Sequence, residues 1–429
     1  MRPWLWLVLG LCVSGSAWLY LHRILWPWEH QVNVEVGPLK AELGDMYSPW
    51  IGARDLLLYG RNPYSPAVSQ EIQKAFYGHS VTTETARPAQ PGADEQRFAY
   101  PVYVVFPLAP AVRLSFAQVQ TWTLVIFAIL TVISVLLWFD FLRWSPSWPK
   151  AAAVILFVLS SPPIVQGLRL RQLGLLVGFL LALAAWCVSR HHLAAAGVVL
   201  AVSTVKPQMV VLPLVWFLCW GVGDWQKRWS LLAGFVATLA ALTGAGELVL
   251  PGWPRYFFEG LQAYRKYNYR PSLFELALGN TPGEILAGFV VVGLLALAWR
   301  NRKAAADSQE FTVTLAMFLM AAILTMPLLP LFNQLLLILP AMIVVRDWAS
   351  LRIPARCVLV AILSWPAVTS VALLLWLRPG HYPSSLILLL PSSLNLVVPF
   401  LFPLLLIDRR STATPGSTHG RNLKKTSLP

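Results

Sequence analysis

Charge is scarce in this sequence: only 12% of its 429 residues are Asp, Glu, Lys or Arg, and just 19 are carboxylates. Soluble globular chains carry about 25% charged residues, so that class is excluded. Cysteine is scarce too. Cys12, Cys187, Cys219 and Cys357 lie within or beside apolar runs without paired spacing, which argues against a disulfide framework or a zinc site. Free, buried thiols are expected. The sequence also lacks a P-loop, a G-x-G-x-x-G fingerprint, an H-E-x-x-H helix and a G-x-S-x-G elbow, and with them the chemistries those motifs serve. Neither a metal nor a cofactor is expected.

What is abundant is apolar: 57% of the residues are hydrophobic, 20 are Trp, and the mean hydropathy is +0.61. These values read as a polytopic membrane protein. A net charge of +14 would suit a nucleic-acid binder, but the Lys and Arg residues fall in short clusters between apolar runs. Membrane topology accounts for that pattern better, so membrane lipids rather than nucleic acid are the expected surroundings.

At about 20 apolar residues per crossing, twelve runs emerge, starting near Trp4, Val119, Ala151, Leu173, Leu193, Gln208, Ser230, Glu284, Phe311, Asn333, Cys357 and Leu386. The expected fold is an all-α integral membrane protein, a multi-pass bundle of about 12 transmembrane helices. No small-residue cleavage site follows the first run, Trp4 to Tyr20; His22, Arg23 and Trp26-Pro27-Trp28 come instead. That run reads as a retained span with an interfacial anchor.

Positive charge recurs at every second connection: Arg143/Lys150, Arg190, Lys227/Arg228, Arg300/Arg302/Lys303 and Arg346/Arg352/Arg356, then Arg409, Arg410, Arg421, Lys424 and Lys425. These connections and both termini are predicted to be cytoplasmic, in a cell (plasma or inner) membrane. Most carboxylates fall in the other connections, which include the long outer loops 22–118 and 251–283. Residues 1–410 thus form one membrane domain, and 411–429 read as a disordered basic cytoplasmic tail.

The run Leu193 to Gly221 resembles one long span interrupted by Lys206-Pro207-Gln208. Arg190 and Lys227/Arg228 must nevertheless share a side, so the chain is predicted to turn back at Lys206. Its arms of 13 and 14 residues reach about 20 Å, against a hydrocarbon core of about 30 Å. Lys206 would then be recessed; the alternative is an ordinary hairpin with a snorkelling lysine.

The first outer loop contains "GDMYSPWIGARDLLLYGRNPYSP", Gly44 to Pro66. Ser48-Pro49 is a suitable helix start and Gly60 a suitable stop. A short amphipathic helix is predicted on the outer membrane surface, with Trp50, Ala53 and Leu57 on one face and Arg54 and Asp55 offset. Asp45 precedes the cap and is not needed to make it; it is either a carboxylate available for chemistry or a turn residue. Farther on, Phe98 to Leu114 is apolar but broken by Pro101, Pro107 and Pro110. A full crossing there would invert every later loop, so it reads as re-entrant or interfacial, either lining a cavity or filling space.

Arg169 and Arg171 lie in a short outer connection without a nearby acid. With Lys206 they are candidates for an anion site, because guanidinium groups suit phosphate; snorkelling toward lipid headgroups is the alternative. Asn333 and Gln334 offer amides. Tyr264, Arg265, Tyr267 and Tyr269 suit a sugar, a headgroup or plain interfacial anchoring. The apolar runs contain almost no mid-depth ionisable residues, which disfavours an ion-coupled transporter.

Asp45 with "GARDLLLYGRNPYSP", then "FAYPVYVVFPLAP", "RQLGLLVGFLLALAAW" and "AAAGVVLAVSTVKPQMVVLPLVW", in that order, resemble glycosyltransferase family 87, polytopic mannosyltransferase-like members of the GT-C superfamily. The resemblance implies a GT-C-like bundle, a polyprenyl-phosphate-linked sugar donor and a lipid or glycan acceptor. It further implies inverting hexosyl transfer, mannose being the expected sugar, on the outer face, with Asp45 as catalytic base. Arg169, Arg171, Gln172 and Lys206 would bind the donor phosphate, and Trp50, Arg54, Tyr64, Tyr100, Gln208, Asn333 and Gln334 would line the substrate site. The chain has Arg171-Gln172-Leu173-Gly174 where family members usually read Gly-Gln-x-Asn, and Asn333-Gln334 where some have a histidine. A lipid or oligosaccharide flippase or transporter, an O-antigen-ligase-like glycan transferase and a non-catalytic assembly factor remain as alternatives.

Overall fold

The computed structural model describes residues 3–27, 43–78, 80, 96–267, 271–326, 331–348, 353, 356 and 357, and every regular element among them is helical. Helix α1 (Pro3–Tyr20) is followed by two helices, α2 (Tyr47–Tyr59) and α3 (Pro66–Tyr77), and by the short α4 (Val105–Leu108) between 3-10 turns. The first part of the bundle comprises α5 (Phe116–Phe141), α6 (Trp148–Ser160), α7 (Pro162–Arg169), α8 (Leu173–Ser189), α9 (Leu193–Ser203), α10 (Pro207–Gly223) and α11 (Trp225–Val249). After α12 (Trp253–Tyr267) and α13 (Leu273–Leu278) come α14 (Asn280–Asn301), α15 (Gln309–Thr325), a 3-10 turn (Leu331–Leu337) and α16 (Ile338–Arg346).

Helices occupy ten of the twelve expected apolar runs; those beyond Cys357 and from Leu386, and the tail 411–429, lie outside the described residues. The expected count of about 12 crossings is not reproduced by length. Among the described residues, four helices are long and apolar enough to cross, Trp4–Arg23, Phe116–Phe141, Trp225–Val249 and Asn280–Asn301, with a fifth if α6 and α7, bent by 56°, count as one. Ser161-Pro162-Pro163 marks that bend, because proline removes the backbone donor a continuous helix needs. Among the other apolar helices, α9 has 11 residues and α8, α10 and α15 have 17 each. They span about 17–26 Å, short of a hydrocarbon core of about 30 Å.

Helix α8 is apolar all round and buried on nearly every side, as expected of a central helix. Helices α5, α11 and α14 instead expose Trp122, Ile129, Val236, Phe289 and Val292, an exterior suited to lipid rather than water. Glycine sets the closest crossing. A Cβ on Gly197 of α9 would stand 2.1 Å from the Leu231 carbonyl oxygen of α11, and one on Gly234 2.5 Å from that of Ala194. Larger residues would force these backbones apart.

The basic connections meet at one end of the bundle. Arg228 donates to the carbonyls of Trp220 (2.8 Å), Arg302 (2.8 Å) and Ala304 (2.9 Å). Arg143 pairs with Asp307 at 3.0 Å, Arg190 with Asp140 at 2.6 Å, and Arg346 donates to the Leu142 carbonyl at 3.0 Å. At the opposite end of α8 and α10 lie Gln172 and Lys206.

Helix α2 ends at Gly60 as expected, in the left-handed conformation (φ 64°). Its start differs from the expectation. It begins at Tyr47 after Met46 without a side-chain cap, so Ser48 lies inside the helix with a buried hydroxyl. One side of it is covered by protein, with Trp50, Ile51, Ala53, Asp55 and Leu56 all buried. Its cover is α3, a helix not anticipated from the sequence, capped by Ser65 and directing Val68, Ile72 and Phe76 inward. The turns around α4 also pack inward through Val102 to Val105; this segment is covered by protein, and a re-entrant course through a bilayer is not established. The thiols are free, but only Cys187 is fully buried, and Cys12 and Cys357 are exposed.

Candidate active site

The site is assembled around the turn Leu170-Arg171-Gln172. Helix α7 ends there with Arg171 N–H on the Leu168 carbonyl (3.2 Å) and Gln172 N–H on that of Gly167 (2.8 Å). This is a Schellman stop, in which Arg171 takes the left-handed position (φ 51°) that glycine usually fills. The segment before α2 is bound to the same turn, for Asp45 N–H donates to the Leu170 carbonyl at 2.8 Å. Gly44 makes that approach feasible: its φ is +62°, and a Cβ there would lie 2.7 Å from the Leu170 oxygen.

Gln172 then joins two charged groups. Its Nε2 donates to Asp45 Oδ2, and its Oε1 accepts from Lys206 Nζ at 2.7 Å. Lys206 also donates to Asn333 Oδ1 at 3.4 Å and faces the Phe332 ring at 4.8 Å. Gln172 and Lys206 are each 4% exposed and Asn333 3%, whereas Asp45 is half-buried. A buried ammonium is costly unless its donors are satisfied; here neutral oxygens and a ring face surround it, with the Asp45 carboxylate on the far side of the amide.

Three features hold this cluster in place. Gly174 leaves room for the lysine, since a Cβ there would stand 3.5 Å from Nζ and 3.2 Å from Met209 Sδ. Gly178 lets the 331–337 turn press onto α8, because a Cβ there would lie 2.2 Å from Leu335 Cδ1; Asn333 is carried in with that turn and donates to Met326 Sδ at 2.9 Å. Beneath the Lys206 turn, the Tyr103 hydroxyl bonds Thr204 Oγ1 at 2.8 Å. The ring of Trp253 meets Tyr103 edge-on at 5.7 Å.

Of the residues expected from the sequence, Asp45, Gln172, Lys206 and Asn333 therefore meet. Arg169 and Arg171 belong to the same turn: Arg171 Nη1 donates to the Arg169 carbonyl, its Nε is buried without a partner, and the Arg169 guanidinium lies 5.1 Å over Trp26. Gln334, beside Asn333, is buried. Other expected lining residues have structural placements. Trp50 is 4% exposed, donates to the Ala111 carbonyl at 3.1 Å and packs against Tyr47 and Phe116. Arg54 stacks on Trp50 at 5.3 Å. The Tyr64 hydroxyl is engaged by the Tyr100 carbonyl at 2.6 Å. Gln208 is exposed on the first turn of α10. The side chains of Tyr264 to Tyr269 lie outside the described residues.

Asp55, the other carboxylate of α2, is also buried, and its carboxyl is raised above the usual range by burial and by Glu71, with Arg61 and Arg54 opposing. It pairs with Arg61 at 3.3 Å, so its role is to tie α2 to the loop that follows. Sequence reasoning missed Phe332, Tyr103 and Thr204 as part of the site. Gly44 and Gly174 were visible only as glycines next to candidate residues.

Fold and site together define a helical membrane protein with a half-exposed carboxylate coupled to a buried cation at one end of its bundle. Such a pair can accept a proton and stabilise a leaving anion. Residues 98–329 match the family described as glycosyltransferase family 87, more than half of the chain, and the chain belongs to that family and is a glycosyltransferase. Arg169, Arg171, Gln172 and Lys206 fall inside the matched stretch, Asp45 and Asn333 outside it. No curated protein and no solved structure matches the chain.

Proposed function

We propose that this glycosyltransferase moves a hexose, mannose by preference, from a polyprenyl-phosphate carrier to a lipid or glycan acceptor at the non-cytoplasmic face of a cell membrane. The carrying observation is the line Asp45–Gln172–Lys206. Asp45 accepts the proton of an acceptor hydroxyl whose oxygen attacks the anomeric carbon. The bond from that carbon to the phosphate oxygen breaks, its electron pair leaves with polyprenyl phosphate, and the anomeric configuration inverts. A general base contributes about 10²- to 10⁴-fold. Lys206, Arg169 and Arg171 stabilise the departing phosphate, and such interactions strengthen where water is sparse.

Orientation follows from the charge pattern: the end where Arg143, Arg190, Arg228 and Arg346 cluster faces the cytoplasm, which turns Asp45 and Lys206 outward. The test is transfer from a polyprenyl-phosphate sugar by the purified protein in nanodiscs, comparing wild type with Asp45→Asn. An undiminished rate in the variant sinks the base assignment, and no transfer from any polyprenyl-phosphate sugar sinks the donor class.

A further inference from the structure

We infer that Gln172 is a positioning residue for the carboxylate of Asp45, not a ligand of the donor phosphate. The inference rests on the reading of Asp45 as the base. Both ends of the Gln172 amide are engaged within the protein: Nε2 donates to Asp45 Oδ2 and Oε1 accepts from Lys206 Nζ at 2.7 Å. The ammonium can only donate and the carboxylate can only accept. The amide is therefore held in one orientation, oxygen toward Lys206 and nitrogen toward Asp45. The side chain is 4% exposed, and its backbone is fixed by the Schellman stop through the 2.8 Å bond to Gly167.

This arrangement has a chemical consequence. A carboxylate joined directly to an ammonium loses basicity, its pKa falling by about 1–3 units. Gln172 places a neutral amide between the two groups and orients the Oδ2 oxygen of the carboxylate. It also keeps the base in a fixed relation to the cation that receives the leaving group, and a displacement of about 1 Å between reacting groups costs about 10²-fold. Asp45 is anchored to the same turn from the backbone side, through its N–H on Leu170 at 2.8 Å. With the main chain tied to one residue and the side chain to the next but one, Asp45 has one defined pose.

The experiment compares wild type, Gln172→Met, Asp45→Asn and the double variant in steady-state transfer from one polyprenyl-phosphate sugar, with melting temperatures in detergent. Gln172→Met keeps the side-chain length and removes both hydrogen bonds. Its kcat is expected to fall about 10²-fold with the donor KM little changed, and the double variant is expected to be no slower than Asp45→Asn alone, because residues acting as a unit are not additive. A raised donor KM, or losses that multiply in the double variant, overturns the proposal in favour of an independent phosphate contact. Gln172→Asn guards against misfolding: it keeps the amide but is one methylene too short to reach both partners. It must lose kcat while melting close to wild type, and a wild-type rate in it also overturns the proposal. If Asp45→Asn itself transfers at full rate, the base assignment fails instead, and the two failures are distinct.

Discussion

The carboxylate of Asp45 and the ammonium of Lys206 are joined by a single side chain, the amide of Gln172, which donates to one and accepts from the other. The outer loop, the stop of α7 and the turn between α9 and α10 thereby converge on one point. The family match gives the reaction class; the proposed mechanism acts through the residues that meet at this point.

Removing the cation tests its role as an anion stabiliser. Lys206→Met should lower kcat about 10²- to 10³-fold, the cost of losing one preorganised donor to developing charge. Lys206→Arg should not restore it, because Gly174 and Met209 leave space for an ammonium but not for a planar fork. Steady-state transfer assays on both variants provide the check.

Gly44→Ala should impair catalysis more than folding. The new methyl would meet the Leu170 oxygen at 2.7 Å in a left-handed backbone, a strain of about 1–3 kcal/mol. It falls on the loop that carries Asp45. Activity is expected to drop at least about tenfold, equivalent to about 1.4 kcal/mol, while the melting temperature of the bundle stays near that of wild type.

The Tyr103–Thr204 bond should be a modest support. Tyr103→Phe and Thr204→Val are each expected to cost about 0.5–1.5 kcal/mol of stability. A double-mutant cycle should return a coupling energy of that order. Two fully additive losses would mean that the 2.8 Å contact carries no energy.

Arg228 should matter for assembly and not for chemistry. Its guanidinium satisfies three carbonyls and lies 3.8 Å over Trp220; leaving buried acceptors unsatisfied costs about 1–3 kcal/mol for each. Arg228→Leu is expected to lower folded yield and melting temperature, with turnover per folded molecule unchanged. Lys should rescue it poorly, lacking the fork that reaches several oxygens.

Sidedness can be read by labelling. In a background lacking Cys12, Cys187, Cys219 and Cys357, a membrane-impermeant maleimide added to intact cells should label Gln208→Cys and leave Arg143→Cys unlabelled until the membrane is opened. Both positions are exposed, so access depends on the side alone. The reverse pattern would turn the site to the cytoplasm.

Much of the helical layout was legible in the sequence. The apolar runs starting near Val119, Leu173 and Phe311 became α5, α8 and α15, because helical apolar periodicity and length are properties of contiguous residues. Gly60 stopped α2 for a local reason as well. Local rules misjudged the start of α2, where Ser48-Pro49 reads as a cap but Met46 precedes the helix. They also missed α3, whose inward residues Val68, Ile72 and Phe76 sit in a mostly polar stretch. Trp50 was expected on one face of an amphipathic helix and in the substrate lining; it packs against Tyr47 and Phe116 and donates to the Ala111 carbonyl.

By itself, the sequence determined that this chain is an apolar helical bundle whose basic connections share one end, because hydrophobic length and the placement of Lys and Arg are read by the bilayer segment by segment. Tertiary structure alone decided that Asp45, Gln172, Lys206 and Asn333 form one hydrogen-bonded line. Nothing in the neighbourhood of any one of them specifies the others. Their meeting depends on glycines that let Leu170, Lys206 and Leu335 approach, and on the cost of leaving a buried ammonium without acceptors.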